Sequence, residues 1–284
     1  MTSPLISTSE LRDRLGEVTL LDVRYRTDGK PAGPSAYTEG HVPGAVYVDL
    51  DTDLAAEPGV GGRHPLPAPE PFEAAMRRCG VRADTPVVVY DDWQGLAAGR
   101  GWWLLRHHGH PDVRVLDGGW SAWLADGGPV ETGTSSPTEG DFVAVPGGMP
   151  VVEADRVPAV AVLVDARAPE RYRGEVEPID PVAGRIPGAV NVPTGSNLTE
   201  DGRFRSPEEL RRTYAQVGAV PGADVAAYCG SGVTAAHDVL AMEVAGVTAA
   251  LYPGSFSGWI TDPARPVETG DPSAGAGGAA TFGR

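Results

Sequence analysis

Asp224-Val-Ala-Ala-Tyr228-Cys229-Gly230-Ser231-Gly232-Val233-Thr234-Ala235 reads as a short apolar strand that runs through a cysteine into a glycine-rich turn and then a helix reaching Val244. A strand handing over to a helix in this way is the repeating unit of parallel α/β folds. The turn also gathers backbone N–H groups and the positive end of a helix around one sulfur. That setting stabilises a thiolate and makes Cys229 a nucleophile. A free cysteine is more often a small buried core residue. Gly230 and Gly232 argue against that here, because they let the backbone wrap closely around the sulfur.

Working outward, the chain repeats itself. Leu20-Leu-Asp22-Val-Arg24 matches Leu163-Val-Asp165-Ala-Arg167, and His41-Val-Pro-Gly-Ala-Val46 matches Arg185-Ile-Pro-Gly-Ala-Val190. Pro86-Val-Val-Val-Tyr90 matches Asp224-Val-Ala-Ala-Tyr228, and Asp117-Gly-Gly-Trp-Ser-Ala-Trp123 matches Pro253-Gly-Ser-Phe-Ser-Gly-Trp259. Both copies close on Val-Glu-Thr-Gly, at 130–133 and 267–270. Matching blocks in one order imply an internal duplication. Strands are expected at 18–23, 45–48, 86–90 and 113–116, then at 161–165, 189–192, 224–228 and 248–251. Helices are expected at 8–15, 69–79, 96–108 and 119–125, then at 206–217, 232–244 and 254–260. This alternation predicts an α/β protein in which each copy is a parallel sheet covered by helices on both faces. The expected domains are 8–133 and 151–270, joined by a Gly-, Pro-, Ser- and Thr-rich linker at 134–150 and followed by a disordered tail at 271–284. Tyr90 aligns with Tyr228, so Asp91 stands where the second copy has Cys229. The first copy is therefore expected to be non-catalytic, with the site at the strand ends of the second, facing the cleft between them.

Composition narrows the function. The 284 residues carry a formal charge of −15, which argues against nucleic acid or an anionic membrane as partner. No segment is long and apolar enough to span a bilayer, and the first residues lack a secretory signal pattern. Two cysteines, Cys79 and Cys229, rule out a disulfide framework or a cysteine-rich zinc site. A cytoplasmic location is expected, where a reactive thiol stays reduced.

The paired Asp-Val/Ala-Arg blocks, the paired Pro-Gly-Ala-Val blocks, the first copy without a cysteine and the Cys229 loop together resemble the tandem-domain sulfurtransferases of the rhodanese family. The resemblance covers nearly the whole chain and implies two tandem rhodanese-like domains. Within the family, Cys229-Gly-Ser-Gly-Val-Thr234 is most like the 3-mercaptopyruvate sulfurtransferases, whereas thiosulfate sulfurtransferases typically carry basic residues directly after the cysteine. Thiosulfate is a dianion that such residues help to hold. Sulfur transfer from mercaptopyruvate leaves an enolate-like pyruvate that needs a proton, which a hydroxyl relay can deliver. The resemblance implies that Ser231 supplies this hydroxyl, with His64 and Asp51 from the first domain completing a Ser-His-Asp relay across the cleft. It further implies that Arg173 holds the substrate carboxylate and that Gly230, Gly232, Val233 and Thr234 line the substrate site. The family usually offers a second arginine in the next loop, which here reads Val176-Glu-Pro-Ile-Asp-Pro181. Arg185 is the expected substitute.

The implied reaction is two-step. The Cys229 thiolate takes the sulfur of a small-molecule donor as a persulfide, and an acceptor (cyanide, a thiol or thioredoxin) removes it. No cofactor or metal is implied. Two alternatives stay open: a thiosulfate:cyanide sulfurtransferase, and a carrier that passes persulfide sulfur between proteins. A cysteine phosphatase does not fit, since its phosphate-clamping arginine would stand six positions after the cysteine, where Ala235 lies. Cys79 is read as core packing. The His107, His108 and His110 cluster is read as a helix end, and the tryptophans at 102, 103, 120, 123 and 259 as core.

Overall fold

The computed structural model describes residues 3–25 and 33–271. In the first half, strands β1 (Leu5–Ile6), β2 (Thr19–Asp22), β3 (Val46–Tyr47), β4 (Val87–Tyr90) and β5 (Val113–Leu116) form a sheet ordered β1-β5-β4-β2-β3. Helices α1 (Thr8–Asp13), α2 (Pro34–Glu39), α3 (Leu50–Asp53), α4 (Pro69–Arg78), α5 (Leu96–His107) and α6 (Gly119–Ala125) alternate with them. In the second half, β6 (Val162–Asp165), β7 (Val190–Asn191), β8 (Val225–Tyr228) and β9 (Ala250–Leu251) form a sheet ordered β7-β6-β8-β9. Its helices are α7 (Pro169–Tyr172), α8 (Pro207–Ala215), α9 (Thr234–Val244) and α10 (Ser255–Trp259), with short 3₁₀ turns at Ala154–Ala159 and Thr194–Asn197. Every strand pairing in both sheets is parallel. The second sheet repeats the order of the first without an edge strand like β1. A lone parallel bridge between Val151 and Leu251 stands at that edge.

The central strands β4 and β8 are buried along their whole length, as a parallel strand covered on both faces must be. Matching polar devices confirm the duplication. Asp22 and Asp165 each take a bidentate guanidinium, from Arg24 and Arg167 respectively, and each arginine also donates to a carbonyl, of Gly40 or Gly184. The hydroxyls of Tyr90 and Tyr228 each accept the N–H of the residue after His41 or Arg185.

Two helices buried along nearly their whole length, α5 and α9, pack against each other across the boundary between the halves. A Cβ added at Gly99 would lie 3.1 Å from the His237 backbone, so glycine sets how closely they approach. Through this contact the inner cores of the two halves join into one apolar cluster. The stretch 134–150 has no regular secondary structure, yet it lies tightly along the first half. Phe142 and Met149 are buried, and Gly140 and Gly148 donate to the Arg77 and His107 carbonyls. The expected disordered tail, past Asp271, lies outside the described residues. Among those described, no helix is long and apolar enough to cross a membrane.

Candidate active site

Cys229 follows β8 directly and precedes α9, with 1% of its surface exposed. The loop turns back on the sulfur, so that the Gly232 N–H donates to Sγ at 3.1 Å. Gly232 has φ +83°, and a Cβ there would strike the Pro253 carbonyl oxygen at 2.3 Å, so only glycine makes this turn. The 252–257 turn braces the other side. The Cys229 N–H donates to Ser255 Oγ at 3.1 Å, Ser255 Oγ lies 4.0 Å from Sγ, and the N–H groups of Phe256 and Ser257 donate to the Cys229 and Gly230 carbonyls. Ser255 holds φ +51°, a strained conformation for a non-glycine residue. Val233 is buried in the core, and Thr234 opens α9.

The first half reaches into this site. Asp49 caps α3 through the N–H groups of Asp51 and Thr52, which sets the direction of Asp51. A tight turn at Gly59–Gly62 then delivers Arg63 and His64 onto the second half, where the Arg63 N–H donates to Ser257 Oγ. His64 Nδ1 lies 2.8 Å from Ser231 Oγ and Nε2 lies 3.2 Å from Asp51 Oδ1. Burial lowers the His64 pKa from its ordinary value; Asp51 pulls it back up and Arg100 opposes Asp51. Tyr25, which sequence reasoning did not single out, hydrogen-bonds Asp51. Its pKa is raised by burial first and by Asp51 second.

Arg100, on α5, was also missed. It is fully buried and donates to the carbonyls of Leu54, His64, Pro65 and Gly232. One guanidinium thus ties the end of α3, the His64 segment and the Cys229 loop together. Burial lowers its pKa to about 10, while the nearby Cys229 thiolate favours its charge. A buried cation whose hydrogen bonds all go to carbonyls makes the surroundings of Cys229 favourable to negative charge.

The arginines near the site stand in different surroundings. Arg173 caps the end of α7 and makes a two-pronged pair with Glu175 on the surface. It is Arg171 that faces the cysteine loop, where a Cβ at Gly230 would lie 3.6 Å from both of its terminal nitrogens. Arg171 is held by Glu177 and Asp180. Burial works against the charge of Glu177, but Arg171 and the N–H groups of Asp180 and Ile179 outweigh it, and the carboxyl stays below its usual range. Arg185, the expected substitute, is engaged within its own domain. It is buried over the Tyr172 ring at 4.7 Å, pairs with Glu268 and donates to the Gly270 carbonyl. Its counterpart His41 stacks on Tyr37 at 4.1 Å and bridges Glu131, so both residues close their own domain.

In the first half the equivalent loop is filled by its own side chain. Asp91 is fully buried, and its two carboxylate oxygens accept the N–H groups of Trp93, Gly95, Ala97 and Ala98 at 2.8–2.9 Å. A built-in anion occupies the cradle that holds sulfur in the second half. Cys79 is buried against the first core, and burial pushes its thiol up to about 11. The three histidines point to different partners: His107 to the Met149 carbonyl, His108 to the Phe72 ring and His110 to the Arg82 carbonyl. Among the described residues no group of side chains has metal-binding geometry.

Comparison with known proteins agrees with this architecture. The rhodanese-like domain model matches residues 7–126 and again 153–262. The chain is 47% identical over 276 residues to the Mycobacterium tuberculosis protein named "Putative thiosulfate sulfurtransferase SseB", covering 94% of this chain and 97% of that one. It is 45% identical over 282 residues to a Pseudomonas aeruginosa protein named "Probable 3-mercaptopyruvate sulfurtransferase", covering 95% and 99%. The solved structure of the 3-mercaptopyruvate sulfurtransferase SseA from Escherichia coli superposes with a TM-score of 0.79 at 33% identity, over 90% of this chain and all of that one.

Proposed function

The chain belongs to the rhodanese-like family of sulfurtransferases, and from that premise we infer that it moves a sulfane sulfur from 3-mercaptopyruvate to a thiophilic acceptor through a persulfide on Cys229. The observation that carries the choice of donor is the neutral loop Gly230-Ser231, with Ser231 Oγ tied through His64 to Asp51. In the first step the Cys229 thiolate attacks the donor sulfur. The carbon–sulfur bond breaks, and its electron pair moves into the enolate of pyruvate. The proton leaving the donor thiol passes through Ser231 to His64 and returns to the methylene carbon, giving pyruvate and a persulfide anion. Asp51 holds the imidazole and stabilises its charged form. The Gly232 N–H and the buried Arg100 favour the anionic sulfur before and after transfer. In the second step cyanide, a thiol or thioredoxin attacks the outer sulfur and frees the thiolate. A reducing cytoplasm suits this cycle, because the thiol must return unoxidised.

A second donor has one observation in its favour. Two guanidinium groups, of Arg63 and Arg171, lie beside Gly230, and such a pair also suits the thiosulfate dianion. Thiocyanate formation from cyanide, with kcat/KM measured for mercaptopyruvate and thiosulfate in parallel, separates the two. Mercaptopyruvate is expected to win, and a thiosulfate preference would overturn the donor assignment. Mass spectrometry after donor alone is expected to find one added sulfur on Cys229. An unmodified Cys229 would sink the persulfide route.

A further inference from the structure

Arg100 stands between two glycines in the middle of α5, a placement that costs helix propensity on both sides of it. Close packing accounts for both glycines. A Cβ at Gly99 would lie 3.1 Å from the His237 backbone on α9, and one at Gly101 would lie 3.1 Å from Val89 Cγ1 on β4. The helix is wedged between the other half and its own sheet, so the backbone under Arg100 has little room to shift. From that base the guanidinium is fully buried, and each of its hydrogen bonds ends on a main-chain carbonyl. Nε donates to Leu54 at 3.2 Å, Nη1 to Gly232 at 3.3 Å, and Nη2 to His64 at 3.0 Å and Pro65 at 3.1 Å. A buried cation held by carbonyls alone is costly to desolvate, and an apolar side chain would fill the space at lower cost. Stability therefore does not explain an arginine here.

The carbonyls it reaches share one property. Leu54 closes α3, three residues after Asp51. His64 carries the imidazole of the relay. Gly232 follows Ser231, and its own N–H meets the Cys229 sulfur. One fork thus reaches the segment of every relay member, on both sides of the boundary between the halves. The relay distances of 2.8 Å and 3.2 Å lie within the range of proton transfer, and a small displacement of any one segment would break it. The N–H groups of a guanidinium lie in one plane, so they fix the angles between their acceptors as well as the distances. We propose that Arg100 is the positioning residue of this relay: it holds the end of α3, His64 and the Cys229 loop on one rigid fork, and so sets the Asp51–His64–Ser231 geometry without touching the donor. The proposal rests on the mercaptopyruvate reading and deepens it, because that donor needs a proton returned to carbon and thiosulfate does not.

The test is a double-mutant cycle in the full-length enzyme, read as kcat for thiocyanate formation from mercaptopyruvate and cyanide. Arg100→Lys keeps a charge near Cys229 and removes the fork. His64→Gln removes the relay and keeps the carbonyl that Arg100 binds. Arg100→Lys is expected to lower kcat about 10- to 100-fold in the wild-type background, and by no more than about 3-fold in the His64→Gln background. Should Arg100→Lys fail to fold, Gly101→Ala repeats the cycle. It retains the guanidinium, presses its base against Val89, and is expected to show the same dependence on His64 with a smaller loss. Equal factors in the two backgrounds would overturn the proposal, leaving Arg100 a strut of the fold or a charge acting on the sulfur; so would an unchanged kcat in Arg100→Lys. The discharge of preformed Cys229 persulfide by cyanide needs no relay, and in Arg100→Lys its single-turnover rate is expected within about 3-fold of wild type. A loss there as large as in full turnover would also overturn the proposal. An unchanged kcat in His64→Gln alone would remove the relay and the proposal with it. A preference for thiosulfate would overturn the donor assignment on which both rest, and it is read from the unmodified enzyme alone.

Discussion

At the scale of single residues, the relay makes a prediction with a definite sign. His64 must be neutral to accept the proton that Ser231 passes on, so activity is lost as pH falls through its pKa. Burial lowers that pKa from the ordinary value of 6.5, and the acid limb of kcat/KM for mercaptopyruvate is expected below 6.5. Asp51 raises it, so Asp51→Asn should move the limb further down while slowing turnover. A limb that moves up in this variant would show that Asp51 is not the partner of His64. Arg171 and Arg173 carry another lesson at this scale. They stand two positions apart in Arg171-Tyr-Arg173, about 200° around a helix. Tyr172 between them is buried, so the flanking arginines diverge and only one reaches the site.

At the scale of elements, the two strand-to-helix loops solve one problem in two ways. Both point backbone N–H groups inward, and such a cradle must hold something. In the second half it holds sulfur. In the first it holds Asp91, with four N–H groups on one carboxylate. Asp91→Ala would strand these donors in the interior, at a cost of about 3–5 kcal/mol in denaturant unfolding. A loss under about 1 kcal/mol would mean that the loop refolds around the gap. The docking turn offers a separate test. Gly62 has φ +100°, and a Cβ there would come within 2.7 Å of the Gly254 carbonyl oxygen and 2.8 Å of Ser257 Oγ. Gly62→Ala is expected to cost about 1–2 kcal/mol in stability. It should lower kcat/KM roughly 10- to 100-fold by displacing Arg63 and His64. Full activity in this variant would detach the turn from catalysis.

At the scale of the whole molecule, the first half brings His64, Asp51, Arg63 and Arg100 toward the Cys229 loop of the second. Its value lies in holding these groups at fixed distance, which depends on α5 and α9 staying in close contact. Gly99→Leu would force a side chain into the His237 backbone, 3.1 Å from where its Cβ must sit. A stability loss of about 1–3 kcal/mol is expected from overpacking. Alkylation of Cys229, only 1% exposed in the intact enzyme, should become faster as the halves separate. Unchanged alkylation would show that α5 and α9 do not control access to the sulfur.

Much of the fold was legible in the sequence. The long strands β2, β4, β5, β6 and β8 fall where apolar runs predict them, because a buried parallel strand must be apolar on both faces. Helices α2, α3 and α7 were missed, being four to six residues long and too short for a periodic pattern. Of the candidate site, the sequence alone singled out Cys229, its glycine loop and the half that carries them, because all of these are local in the chain. The family resemblance added the positions of Ser231, His64 and Asp51, and the structure brings the three within hydrogen-bonding distance. Only the tertiary structure decided among the arginines. It paired Arg173 with Glu175 on the surface, laid Arg185 over the Tyr172 ring, and brought Arg171 together with Arg63 and Arg100 of the other half to the cysteine loop. The reason is physical: a guanidinium sits at the end of a long flexible side chain, so its position depends on the carboxylates and carbonyls that hold it, and those come from distant segments.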